Sequence, residues 1–224
     1  MQILHYIFAE HFRLAVLALL LFALGLFLAW PVVKFGVRRL MEIPLAVFRM
    51  VLALMGPAPS IFRMATVIWS FNSCVMFIYM ATGWHPLFPK IIAVLTGLNV
   101  GIVMMAGRSE LGLIGPGEPE PGQWVPPRRL TGICGLLVLL LELPCFWFAL
   151  AMGMSMGADV TTGAADYSEA LVLRAQGYLA VIVPILLLSA FCEAVAIRGA
   201  AARAHGGPQG DGGPSDWPDG AEDV

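Results

Sequence analysis

The sequence predicts an all-α fold: a polytopic membrane helix bundle of about five transmembrane helices, with one further amphipathic or re-entrant helix at the membrane surface. Three observations carry that expectation. Hydrophobic residues fill 59% of the 224 positions and charged residues only 12%, with a mean hydropathy of +0.82, whereas a soluble domain is about a quarter charged. Uncharged runs recur at the length a hydrocarbon layer of about 30 Å demands, roughly 20 residues at helical rise. Backbone groups in lipid must pair within their own segment, so such runs become helices.

The first span is expected at 14–33, with Lys34, Arg38 and Arg39 behind it as an interfacial anchor. It is as long as a crossing, lacks a basic leader and ends in Trp30-Pro31, which favours a retained anchor over a cleaved signal. Residues 41–55 are apolar but short and carry Glu42, Pro44 and Arg49. They suit a helix lying on the cytoplasmic interface, with Leu45, Val47, Phe48, Val51 and Leu52 as its apolar contact. Gly56-Pro57-Ala58-Pro59 then breaks the chain before a second span at 62–80. A connector at 81–90 holds Trp84 and His85, and the third span follows at 91–106. Gly, Pro and charge dominate 107–129, an expected exposed loop. The fourth span is 130–154. A polar loop with Asp159, Asp166 and Glu169 leads to the fifth, 179–197. The bundle domain is therefore 1–197, and 198–224, rich in Gly, Pro and Asp, reads as a disordered acidic cytoplasmic tail.

Alternating the spans sorts the 13 basic residues. Lys34, Arg38, Arg39, Arg49, Arg63, Arg108, Arg128, Arg129, Arg198 and Arg203 fall on one side; Arg13, Lys90 and Arg174 fall on the other. Positive charge marks the cytoplasmic face. The expectation is a multi-pass protein of a bacterial inner (cytoplasmic) membrane, N-terminus outside and C-terminus cytoplasmic.

Polar residues at membrane depth single themselves out. Glu142 lies in the middle of the fourth apolar run, where an ionised carboxylate costs at least about 2.5 kcal/mol, so it must be neutral, paired or facing water. Asn72 and Asn99 sit near the middles of the second and third spans. Counted from the cytoplasmic ends, Asn99 is about 10 Å deep, Asn72 about 14 Å and Glu142 about 18 Å, which makes the three a candidate intramembrane polar cluster. Interhelical hydrogen bonding is the structural reading, and a proton, ion or polar-substrate path the functional one. Glu193, one turn from the cytoplasmic end of its helix, is expected to pair with Arg63. Gly97 and Gly101, and Ala149, Gly153 and Gly157, repeat at four-residue spacing and form small-residue faces for close packing within the bundle or with a partner span. Pro144 and Pro184 fall inside spans and should open local backbone carbonyls.

Other chemistry is missing. His5, His11, His85 and His205 all fall outside the expected spans, leaving no intramembrane ligand for haem. Cys74, Cys134, Cys145 and Cys192 form no C-x-x-C pair and read as inert buried thiols. Phosphate-binding loops, nucleophile elbows and zinc motifs are absent. The expectation is no enzyme, no cofactor, no metal and no nucleic-acid partner. Partners are the lipid bilayer and other membrane protein subunits, with a homo-oligomer also open.

Leu140-Leu141-Glu142-Leu143-Pro144, followed by the small-residue stretch 149–157, resembles the E-L-P signature of the stage II sporulation protein M family. The stretch 183–194, with its proline, aliphatic run and terminal Glu193, is similar to that family's last helix. Phe71-Asn72 and Leu98-Asn99-Val100-Gly101 sit where its members carry span asparagines. The resemblance covers about 61–197. Gly135-Leu136-Leu137 stands where a histidine-glycine element often precedes E-L-P. The resemblance implies a membrane scaffold, since members hold peptidoglycan-remodelling enzymes during engulfment, although relatives in non-sporulating bacteria separate fold from process. Three roles follow as expectations: a non-catalytic scaffold subunit, a permease-like transport subunit with a path through Asn72, Asn99 and Glu142, or an accessory subunit of a respiratory or photosynthetic complex.

Overall fold

Long aliphatic runs fold into α1 (Gln2–Lys34), α2 (Arg38–Met55), α3 (Ile61–Ala81), α4 (Leu87–Ile114), α5 (Arg128–Thr161), α6 (Tyr167–Gly177), a π segment (Tyr178–Ile182) and α7 (Val183–His205). The structure, a computed structural model, describes residues 2–57, 59–114 and 126–205, and the side chains among them apart from 2–10, 107–114 and 204–205. No strand occurs among the described residues. The centre of the loop expected at 107–129, and tail residues 206–224, lie outside them.

Five stretches are long and apolar enough to cross a membrane: His11–Lys34, Ile61–Ala81, Leu87–Ala106, Arg128–Thr161 and Tyr167–Arg203. The chain is a multi-pass membrane protein. Helix α2, with Arg38, Arg39, Glu42 and Arg49 among its 18 residues, is not one of the five.

Several boundaries differ from the sequence reading, in one direction. Helix α5 has 34 residues, about 51 Å at helical rise and well beyond the hydrocarbon thickness. Asp159 is therefore helical rather than in a loop, and Glu169 belongs to α6. Helix α4 continues past 106 to Ile114, and α7 runs through 198–205, the first part of the expected tail. Apolarity locates the membrane slab, but a helix ends only where its terminal groups find other partners. His11, expected outside the first span, opens that apolar stretch and is buried.

Turns follow local chemistry. Gly36 and Gly56 adopt φ of 62° and 81°, a region where a Cβ would be strained, and these glycines end α1 and α2. The Ser60 hydroxyl accepts the Arg63 backbone N–H at 3.2 Å and starts α3. Pro184, which has no N–H to donate, stands two residues after the π segment. The Trp69 indole donates to the Val183 carbonyl at 3.3 Å, so α3 supplies a partner where the α7 ladder is disturbed.

Helix α5 is the axis of the bundle, touching α1, α3, α4, α6 and α7. Phe22, Phe146, Leu150, Met154, Ile182 and Leu186 make the main core, with Phe22 and Phe146 edge to face at 5.5 Å. Met55, Met64, Ile68, Ala190 and Ala194 close a second core where α2, α3 and α7 meet. Leu20, Phe27, Leu140 and Leu188 stay exposed on the outside, as a bilayer-facing surface requires.

Candidate functional site

A polar seam lies where α3, α5 and α7 meet. Asn72 stands in α3, Glu142 in the aliphatic run of α5, and Ser189 and Glu193 in that of α7. From α3, the Asn72 amide Nδ2 donates to Glu142 Oε1 of α5 at 3.0 Å. From α7, the buried Ser189 hydroxyl approaches the Glu142 carboxyl without closing a well-formed hydrogen bond. Glu193, one turn further along α7, has Glu142 as its charged neighbour. The seam thus holds two carboxyl groups, an amide and a hydroxyl.

Of the three residues grouped by depth, the structure brings together Asn72 and Glu142. Asn99 makes no side-chain hydrogen bond to either among the described residues. Its helix, α4, packs chiefly along α1 and barely touches α3. Depth along a helix was readable from residue counting, but the direction a side chain faces depends on which helices are neighbours.

The expected Arg63–Glu193 pair does not form. Arg63 Nη2 donates to the Leu54 carbonyl at 3.1 Å, one of the orphan acceptors at the end of α2, where cationic donors are favoured. The Arg198 guanidinium holds Pro59 O in the same connection. Both arginines thus pin the α2–α3 turn, and Glu193 lies near Glu142 instead.

Small-residue faces are used inside the bundle. A Cβ on Gly97 would collide with Phe22 O, and one on Gly101 with the Ala29 methyl. Gly25 of α1, which the sequence reading did not single out, meets Val94 O in the same way. Gly153 rests on Met80 O, and Gly157 on the His85–Pro86 backbone. Ala149 is fully buried in the main core. Gly132 and Gly135 of α5 differ, since nothing stands within 4 Å of a Cβ placed on either.

Sequence reasoning also missed a polar contact at the α5–α6 end. Arg174, whose side chain is 6% exposed, forms an ion pair with Asp159 and donates to Ser155 Oγ at 3.1 Å. Nearby, Tyr167 Oη donates to Ala81 O at 2.7 Å and ties α6 to the end of α3. The only advance signal was the four-residue interval between Ser155 and Asp159, which puts both on one helix face. Among the described residues no group of three or more His, Cys, Asp or Glu is placed to hold a metal ion. Comparison of the chain with protein-family models, curated proteins and solved structures gave no match.

Proposed function

We propose that this chain is a non-catalytic scaffold or accessory subunit of a bacterial inner-membrane protein complex, similar in kind to the stage II sporulation protein M family. The observation that carries the reading is the Asn72–Glu142 hydrogen bond: the carboxyl singled out at membrane depth serves as a clamp between α3 and α5. Partner spans have no room on the Gly97–Gly101 and Ala149–Gly153–Gly157 faces, which the bundle itself fills. The free face is the first half of α5, where Gly132 and Gly135 are open and Ile133, Leu136 and Leu139 are exposed. Open glycines let a second helix backbone approach closely. The basic residues gathered at the α1–α2, α2–α3 and α5 start regions would face the cytoplasm and receive partner domains there.

A transport subunit is the second reading, favoured by the presence of Glu193 and Ser189 beside Glu142. Two substitutions at one position separate the two. Under the scaffold reading Glu142→Gln keeps an acceptor for Asn72, so co-purification of the complex and its activity survive. Glu142→Leu strands the Asn72 amide and weakens the bundle by about 1 kcal/mol, read by denaturant titration in detergent. A Gln variant that assembles normally but abolishes the activity of the complex would transfer the role of Glu142 to proton or ion movement.

A further inference from the structure

Helices α1 and α4 run side by side in the same direction, with Phe22 against Gly97 and Ala29 against Gly101. Beside this tight crossing lies an open groove of about 500 Å3, lined by Leu26, Gly101, Met104 and Met105. Both methionines point outward, Met104 at 66% and Met105 at 45% exposure. Its walls are apolar and its opening is on the bilayer-facing surface.

What fills it is indicated by what stands below it. Leu26, Trp30 and Lys34 follow at i, i+4 and i+8, a single stripe along α1. The Lys34 ammonium sits 4.5 Å over the Trp30 ring, and both side chains are exposed. Eight residues separate Leu26 from Lys34, about 12 Å of rise, and half of a hydrocarbon layer is about 15 Å. The inner end of the groove, at Leu26, therefore lies about one acyl-chain length from a cation at headgroup level. Arg38 and Arg39 open α2 just beyond Lys34. Glu42 offsets Arg38, at 2.8 Å, leaving Lys34 and Arg39 as surplus positive charge.

We infer that this groove is a site for one anionic phospholipid, its acyl chain against Leu26, Gly101, Met104 and Met105 and its phosphate at Lys34. The inference is independent of the scaffold reading and needs only the membrane bundle. The test uses the full chain in nanodiscs of equal phosphatidylglycerol and phosphatidylcholine, with retained lipid counted by native mass spectrometry after gentle release. One phosphatidylglycerol per chain is expected on the unaltered protein. Lys34→Gln, at an exposed position, should weaken its retention about fivefold, the equivalent of about 1 kcal/mol for one basic group near a lipid surface. Met104→Trp, which fills the groove, should displace it while far-UV circular dichroism stays unchanged. Equal retention of both lipids with no effect of Lys34→Gln would overturn the anionic site. So would a photo-crosslinker at Met105 that captures a polypeptide in place of a phospholipid. If Met104→Trp does not fold, the Lys34→Gln and crosslinking results still decide.

Discussion

Arg174 and Asp159 are a pair whose two halves are unequal. The Arg174 side chain is 6% exposed and the Asp159 side chain 38%, so only the guanidinium is cut off from water. Deleting the acid strands a buried cation, which costs about 3 kcal/mol. Deleting the base leaves a carboxylate that water can reach, a loss nearer 1 kcal/mol. Asp159→Leu is therefore expected to lower bundle stability more than Arg174→Met, and detergent-denaturation curves of the two variants would check the order. Equal effects would mean that the pair contributes through packing. Glu142 was legible in advance because the cost of a buried carboxylate forces it to find a partner. That the partner is Asn72 rather than Asn99 was not legible, since both sit at suitable depths and only the arrangement of α3, α4 and α5 places one amide within reach.

At the scale of elements, glycine position matters more than glycine count. Gly97 lies where α4 meets the α1 backbone at Phe22 O, so Gly97→Ala must push two helices apart. Overpacking of this kind costs about 1 to 3 kcal/mol. Gly132 has nothing within 4 Å of an added Cβ, and Gly132→Ala should stabilise the isolated chain by up to about 1 kcal/mol through helix propensity. Measured on the purified monomer, the two substitutions should have opposite signs. Co-purification of a partner span should then fall with Gly132→Leu, if the open half of α5 is the docking face. The repeat spacing marked Gly97, Gly101, Gly153 and Gly157 as close-packing residues, but it did not say against what. Gly25 has Ala29 at that spacing, but only the placement of α4 shows that it meets the Val94 carbonyl. The π segment was foreshadowed by Pro184, although a missing N–H predicts a disturbed ladder and not the form the disturbance takes.

For the whole molecule, the proposed orientation can be checked by labelling. Gly83 is a poor site for a reporter, because any side chain there would collide with the Gly153 backbone. Trp84 and Ala200 are exposed and flank the two ends of the bundle. With an impermeant thiol reagent on intact cells, Trp84→Cys should label and Ala200→Cys should label only after lysis. Labelling of both from outside would overturn the five-crossing arrangement. The sequence by itself determined the helical class, the five apolar segments and the one carboxylate deep among them, because hydrophobic length and the cost of burying charge are local properties of the chain. Tertiary structure alone decided that Arg63 serves a helix end, that Glu193 lies near Glu142 rather than on Arg63, that the small-residue faces are filled from within, and that a groove opens between α1 and α4. Each of these depends on which helices are neighbours and which way they face. In lipid every helix is apolar nearly all round, so the hydrophobic pattern that would orient a helix in water carries little of that information.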